Sequence, residues 1–350
     1  MKKSILFLIL LSVFGFSNSF KEAVTAYNAK DFTRAAEIFQ ELAKQGNTSA
    51  QYNLGSLYQD GLGVKKSYQK AVELYTLAAN QGDLDAQNSL GLMYMDGTGI
   101  EQNYQKAIKL FTLAMKQGNL DAYVNLGYMY SNGEGVKQNY KKAVELFTLA
   151  ANQGDAKAQY NLALMYKKGE GVQQNYQKAV ELLTLASKQG FLSAYTSLGN
   201  MYCDGEGVKQ NYQKATELYT LAKNEGLVNL ALMYNNGQGV KQNYQKAIEL
   251  YTLAANQGDS QAQYNLALMY ANGDGVKQNY PKAIELLTLA ANQGHLGAQV
   301  KLGLKYVQGE WVKQDKVKAY QLWLKAAQNG DLDAQNNLDI LCKESPWACK

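Results

Sequence analysis

A pair of glycines separated by one residue returns along almost the whole chain: Gly61/Gly63, Gly97/Gly99, Gly133/Gly135, Gly169/Gly171, Gly205/Gly207, Gly237/Gly239 and Gly273/Gly275, then Gly309 with Trp311. Successive first glycines are 36, 36, 36, 36, 32, 36 and 36 residues apart. A fixed period of this length marks stacked supersecondary units, each too small to bury its own apolar face. The copy from Gly133 to Gly169 reads GEGVKQNYKKAVELFTLAANQGDAKAQYNLALMYKKG. Ala143, Leu146, Phe147 and Ala150 recur at helical spacing, and so do Ala158, Leu162, Ala163 and Tyr166, so each period predicts two helices. Gly169 and Gly154 fall at the two helix ends, where a left-handed residue costs glycine nothing, and Gly171 keeps the turn tight. Small residues at Ala143, Ala150 and Ala163 predict close helix approach. The expected fold is all-α, an α-solenoid of antiparallel helix pairs.

The chain divides into a signal peptide (1–19), an opening helical hairpin (20–46), the repeats (47–330) and a C-terminal capping helix and tail (331–350). Residues 1–19 join a basic MKK, an apolar SILFLILLSVFGF and a small-residue SNS, which predicts export with cleavage after Ser19. The apolar run is shorter than the roughly 20 residues a spanning helix needs, so no stable membrane anchor is expected after cleavage. A periplasmic or secreted location follows. In the opening hairpin Asp31 is placed to cap the second helix. At the 32-residue spacing, four residues are missing after Gly226; that is close to one turn, and it predicts a shorter helix with the array continuing. After Gly294 the copies degrade, with Trp311 in a glycine place and Trp323 where Tyr or Leu stands elsewhere. Pro346 ends the last helix and turns the tail back as a cap.

Two prolines and 31 glycines in 350 residues, with the glycines at repeat boundaries, fit an ordered helical array. The net charge is +5, and +3 without Lys2 and Lys3, too little to predict nucleic-acid binding. Lys142, Lys178, Lys214, Lys246 and Lys282 each precede a Glu by three residues; these read as solvated helix pairs worth a few tenths of a kcal/mol. The single histidine, His295, reads as a solvated loop residue, which leaves no histidine catalysis, no metal cluster and no cofactor site in view. The Gly-x-Gly loops follow helices and lack a third glycine, unlike a dinucleotide fingerprint. Ser67 and Lys70 match the S-x-x-K nucleophile motif and are weak catalytic candidates. Asn103, Asn139 and Asn175 hold the place of Ser67 in other copies, and Ser or Asn at a helix start is the preference of an N-cap.

The pattern AQYNLALMY…GxGV…NYxKAxEL…LAANQG resembles the Sel-like repeat (SLR) family, a relative of the tetratricopeptide repeats, from about Phe20 to Cys342. The resemblance implies a right-handed superhelix of antiparallel helix pairs, the first helix of each pair lining the concave side, and an adaptor that holds proteins or peptides. A secreted, cysteine-rich branch, often labelled β-lactamase or penicillin-binding, staples neighbouring hairpins with disulfides. The corresponding positions here are Ala79 and Gln87, or Ala151 and Gln159, so those staples are absent.

On the first helices, Asn53, Asn125, Asn161, Asn229 and Asn265 form one column, with Ser89 and Ser197 completing it; Tyr52, Tyr160 and Tyr264 run beside it, and Tyr128 joins the set. On the face implied to be concave, flat rings and amides that both donate and accept suit an extended peptide backbone. The same asparagines could instead bridge neighbouring helices. The column Tyr58, Tyr94, Tyr130, Tyr166, Tyr202, Tyr234, Tyr270 and Tyr306 keeps helical spacing with Leu and reads as core.

The expected function is therefore a periplasmic or secreted scaffold that binds a protein or peptide in its concave groove without chemistry of its own. The alternative, a β-lactamase-like or penicillin- or peptidoglycan-binding protein, rests on the family label. Of three cysteines in an oxidising compartment, Cys342 and Cys349 are close in sequence with Pro346 between them, which predicts a disulfide locking the tail and leaves Cys203 as a free thiol, or as an intermolecular link if exposed.

Overall fold

The computed structural model describes residues 19–349, so the expected signal segment lies outside the described residues except for Ser19. Among these residues there is no strand. Contacts gather into two compact units, the first ending at Asn175 and the second starting at Tyr176. The first unit holds α1 (19–28), α2 (Phe32–Lys44), α3 (Thr48–Asp60), α4 (Tyr68–Asn80), α5 (Leu84–Asp96), α6 (Tyr104–Lys116), α7 (Leu120–Asn132), α8 (Tyr140–Asn152) and α9 (Ala156–Lys168). The second holds α10 (Tyr176–Lys188), α11 (Leu192–Asp204), α12 (Tyr212–Leu221), α13 (Leu227–Asn236), α14 (Tyr244–Asn256), α15 (Ser260–Asn272), α16 (Tyr280–Asn292), α17 (Leu296–Gln308), α18 (Lys316–Gln328) and α19 (Leu332–Glu344). We call the odd-numbered helices A and the even-numbered ones B. No helix among the described residues is long and apolar enough to cross a membrane.

The loop from α7 to α8 shows why the sequence folds this way. Gly133 takes φ 78° and its N–H returns to the Met129 carbonyl, a left-handed helix stop. Gly135 lies on the start of the preceding B helix, where a Cβ would come 2.2 Å from Cβ of Tyr104, so the loop needs a residue without a side chain. Gln138 Nε2 donates to the Ser131 carbonyl (2.9 Å) and the Asn139 N–H to the Tyr130 carbonyl (2.7 Å), which closes the loop. Asn139 Oδ1 then caps α8 by accepting from the Lys142 N–H (3.0 Å), and Asp155 caps α9 through the Ala158 N–H (2.7 Å).

Each A helix presses a small residue onto a large one of the following B helix. A Cβ on Gly127 would meet the Phe147 ring at 2.6 Å; Gly55 faces Tyr75, Gly91 faces Phe111, Gly199 faces Tyr219 and Gly303 faces Trp323 in the same way. Where the A residue is alanine, at Ala267 on α15, the buried partner column on α16 holds Leu287. Volume is thus conserved pair by pair, as close packing requires. A mid-helix glycine costs about 1 kcal/mol against alanine, so its place here is set by the ring it admits.

The positions expected to lack staples carry amides instead. Gln87 Nε2 donates to the Ala79 carbonyl (3.2 Å), and equivalent bonds join Gln51 to Ala43, Gln159 to Ala151, Gln263 to Ala255 and Gln299 to Ala291. These buried glutamines in turn accept from the glutamine that ends the next B helix, as Gln81 to Gln51 (2.7 Å), Gln117 to Gln87 (3.0 Å) and Gln293 to Gln263 (2.8 Å). Hydrogen-bonded amides therefore tie successive hairpins where the cysteine-rich branch is implied to use disulfides. The run stops at Gln299, whose buried Oε1 has no partner, because Asn329 holds the next place and bonds back to the Lys325 carbonyl (2.7 Å).

The four missing residues shorten two helices rather than the one expected. Both α12 and α13 have 10 residues where their counterparts have 13, and the 3-10 turn Lys223–Gly226 joins them. At the C-terminal end Trp311 takes φ 64° and stacks on Tyr280 with centroids 4.9 Å apart. The tail, Pro346–Cys349, buries Ala348, and Lys316 Nζ donates to Ser345 Oγ (2.7 Å). Cys342 and Cys349 have Cα atoms 5.7 Å apart and sulfurs at bonding distance, while Cys203 is unpaired and half-buried.

Candidate functional site

The residues expected to bind a partner lie on A helices and reach solvent in part. Tyr52 and Asn53 stand on α3, Asn125 and Tyr128 on α7, Tyr160 and Asn161 on α9, Asn229 on α13, and Tyr264 and Asn265 on α15. Tyr128 is the most open, 47% exposed; the others are half-buried. Their bonds divide them. Asn125 Nδ2 donates to Asn88 Oδ1 (2.8 Å) and Asn229 Nδ2 to Asn200 Oδ1 (3.3 Å), each a link from one A helix to the next. Asn53 bonds its own helix through the Ser49 carbonyl (2.7 Å), and Asn265 accepts from Gln261 (3.0 Å). Tyr52 packs on Tyr75 with ring centroids 5.6 Å apart, and burial pushes its phenol up.

Two sequence readings need correction. His295 is a half-buried N-cap and not a solvated loop residue: its Nδ1 accepts from the Ala298 N–H (3.1 Å), its Nε2 meets Gln261 Oε1 (3.2 Å), and its ring stacks on Tyr264 at 4.7 Å. Histidine holds here the capping place that Asp259 and Asp331 hold in other A helices, and burial lowers its pKa. The tyrosine column is likewise only half-buried. The fully buried column is the residue before it, as in Met129 and Met201, while lysines lie over the tyrosines: Lys70 over Tyr58 (4.7 Å), Lys106 over Tyr94 (4.9 Å) and Lys318 over Tyr306 (5.4 Å).

Ser67 caps α4, its Oγ accepting from the Lys70 N–H at 3.4 Å, and the Lys70 ammonium is occupied by the Tyr58 ring and hydroxyl (3.4 Å). Among the described residues no group of His, Cys, Asp or Glu could hold a metal ion. The Lys–Glu pairs lie exposed at 2.8 to 3.0 Å. Burial pushes the Cys203 thiol up, which makes it a poor nucleophile, while the Tyr219 hydroxyl 3.3 Å from its sulfur pulls more weakly the other way.

One surface feature went unread in the sequence. The Leu of each Thr-Leu-Ala triplet in the B helices, Leu77, Leu113 and Leu149 in the first unit and Leu185, Leu221, Leu253 and Leu289 in the second, is 40 to 54% exposed. Glu41 and Lys325 hold that place in the first and last hairpins. Plotting the triplet on a helical wheel against Ala143, Leu146 and Phe147 would have placed the leucines outside.

The sequence pattern of the Sel1 repeat matches nine segments: 29–47, 48–83, 84–119, 120–155, 156–191, 192–227, 224–259, 260–295 and 297–331. No curated protein matches the chain. Among solved structures, the c5321 protective antigen of uropathogenic Escherichia coli strains, which displays an SLR fold, is 32% identical with a TM-score of 0.63, over 92% of this chain and 71% of that one. A Sel1 repeat protein from Oxalobacter formigenes is 30% identical with a TM-score of 0.61, over 87% of this chain and 89% of its own. A signal-transduction ATPase with a tetratricopeptide repeat sensor from Pyrococcus horikoshii, 16% identical at a TM-score of 0.53, over 94% of this chain and 54% of that one, shares the helical-repeat fold alone. The repeat loops, the helix pairs and nine matched copies together make this chain a member of the Sel1 repeat family, a helical-repeat scaffold of a type that generally serves protein–protein interaction.

Proposed function

We propose that the protein is an exported scaffold that holds a protein or peptide along the face formed by its A helices, without chemistry of its own. The observation that carries this reading is the recurrence of a partly exposed Asn on successive A helices, with Tyr beside it at Tyr52, Tyr160 and Tyr264, and with Tyr128, one turn past Asn125, the most open. A periodic row of rings and amides offers an extended chain successive flat contacts and paired donors and acceptors. Export rests on residues 1–19, and an oxidising compartment would make Cys342–Cys349 a permanent clasp on the tail. The enzymatic alternative gains nothing from Ser67, whose hydroxyl serves as a helix cap.

The test compares wild type with Asn53→Ala/Tyr128→Ser/Asn161→Ala, all in the first unit, in a crosslinking pull-down from the envelope fraction. The expected result is a partner captured by wild type and lost from the variant, with melting unchanged because partly exposed side chains contribute little to folding. Equal capture by both proteins would overturn the assignment to this face.

A further inference from the structure

The last A helix leaves open a stripe that α17 keeps covered. On α17, Leu296, Val300 and Val307 pack into the cluster that holds Trp323 and Leu338, and Gly303 lies against the Trp323 ring. The same four places on α19, one repeat further on, hold Leu332, Asn336, Asp339 and Lys343, and all four are exposed. Asp339 stands in the glycine column that elsewhere admits a ring of the following B helix. A ring pressed there would bury a carboxylate unpaired, so this face rejects a further hairpin of the same kind.

Apolar side chains nonetheless stand out on it. Leu332 is 78% exposed, Trp347 63% and Ile340 56%, more than any other large apolar residue among those described. Trp347 is not outside for want of an anchor, because its tail buries Ala348, bonds Lys316 through Ser345 and is clasped by Cys342–Cys349. The exposed charges beside these residues have both signs, Asp333, Asp339 and Glu344 with Lys343. Asp339 Oδ1 accepts only from Gln335, at 3.0 Å on its own helix. The acids outnumber the lysine, which disfavours an anionic lipid surface, while mixed signs along one helix suit a reversed copy of that helix.

We propose that α19 and the tail form the contact face for a second copy of this chain, with the two α19 helices antiparallel about a two-fold axis at Ile340. Residues at equal distances on either side of such an axis face each other. Ile340 then meets Ile340 of the second copy, and Lys343 falls within one turn of its Asp339. Asn336 comes level with its Glu344, and Leu332 with the tail that carries its Trp347. All three exposed apolar residues are covered, and the lysine gains a carboxylate on each side of the axis. One helix and one tail from each copy make a contact at the small end of specific interfaces, so the dimer is weak and concentration-dependent. It is independent of the scaffold reading.

The experiment is sedimentation equilibrium of the whole protein over a rising concentration series. Wild type is expected to pass from monomer to dimer and no further. Ile340→Glu sets two carboxylates at the axis and should abolish the dimer with the far-UV circular dichroism unchanged. Asp339→Lys and Lys343→Asp should each weaken self-association about tenfold or more, because like charges then face each other. Mixed one to one, these two variants should pair again, since opposite charges meet at both contacts of the mixed dimer. A wild type that stays monomeric up to about 1 mM overturns the proposal. Should that monomer co-sediment with phosphatidylglycerol vesicles, the face belongs to a membrane surface instead. A dimer that survives Ile340→Glu, or charge variants that stay apart when mixed, overturns the assignment to α19. None of these variants touches the residues of the scaffold test.

Discussion

Two turns of the second unit, aligned residue for residue, reach the same connection by different means. Between α14 and α15, Gln257 ends one helix, Gly258 takes φ 91°, and Asp259 caps the next by accepting from the Ala262 N–H at 2.7 Å. Between α12 and α13 the cap and the first helical turn are missing. There the left-handed conformation moves to Lys223 at φ 54°, Gly226 returns to φ −95°, and α13 starts with no side-chain cap. The glycine survives in both turns for opposite reasons. Gly258 has nothing within 4 Å of where a Cβ would lie and is needed only for its backbone conformation. Gly226 has an ordinary conformation, but a Cβ would come 2.0 Å from the Tyr219 carbonyl oxygen. A deletion of about one turn is therefore absorbed by closer packing, and the strain is passed to a lysine in a region disfavoured for side chains.

The largest effect follows directly from that contrast. Gly226→Ala forces a methyl into backbone with no flexible side chain to yield, and should cost about 3 kcal/mol or more. Gly258→Ala should cost about 1 kcal/mol, the penalty of a left-handed alanine. Urea melts of the two variants check this; equal losses would mean that the two glycines do the same work after all.

The next effect tests the pairing of small A-helix residues with large ones on the following B helix. Gly127→Ala should destabilise by about 1–2 kcal/mol, overpacking against Phe147 outweighing the better helix propensity of alanine. Adding Phe147→Leu should recover much of that, since Ala267 with Leu287 is the same pair occurring naturally. A double-mutant cycle with a coupling of about 1 kcal/mol is the expected reading, and simple additivity would refute the rule.

Much of this architecture was legible in the sequence because glycine spacing and helical periodicity are local signals. The Gly133–Gly169 copy gave both helices, their stops and the Asn139 cap, and Ser67 read correctly as a cap because Asn stands in its column elsewhere. What was not legible depends on contacts between repeats. The Gln51-type amide ties need the pitch from one hairpin to the next, and nothing in a single copy says that Gln51 meets the Ala43 carbonyl. His295 misled because histidine is a rare cap, and its role is visible only once its column is aligned with Asp259 and Asp331.

A smaller effect separates the inner repeats from the last. Gln293 satisfies Gln263, whereas Asn329 is one methylene too short and leaves Gln299 Oε1 buried without a partner. Asn329→Gln should therefore stabilise the protein, by up to about 1 kcal/mol, the net worth of one hydrogen bond. A thermal melt that stays put or falls would show that Gln299 is content as it stands.

The smallest effect concerns the two neighbouring caps, Asp259 and His295. As a cap, His295 accepts at Nδ1 and so must be unprotonated there, leaving Nε2 to carry the proton toward Gln261 Oε1. Burial against Tyr264 lowers its pKa in the folded protein, while the carboxylate of Asp259 pulls weakly the other way. Unfolded histidine titrates near 6.5. A group whose folded pKa lies below its unfolded one gives its stabilisation in full above the unfolded value and loses it as the pH falls through the folded value. Between pH 7.5 and 5 the wild type should therefore lose stability, by an amount bounded by the worth of a cap, about 1 kcal/mol. His295→Asn supplies a cap that does not titrate in this window, as Asn47 and Asn119 do on α3 and α7. The difference in melting temperature between wild type and variant should then open as the pH is lowered and close again above 7. A difference that is flat with pH would mean that His295 holds α17 by its stack on Tyr264 and not by its nitrogen.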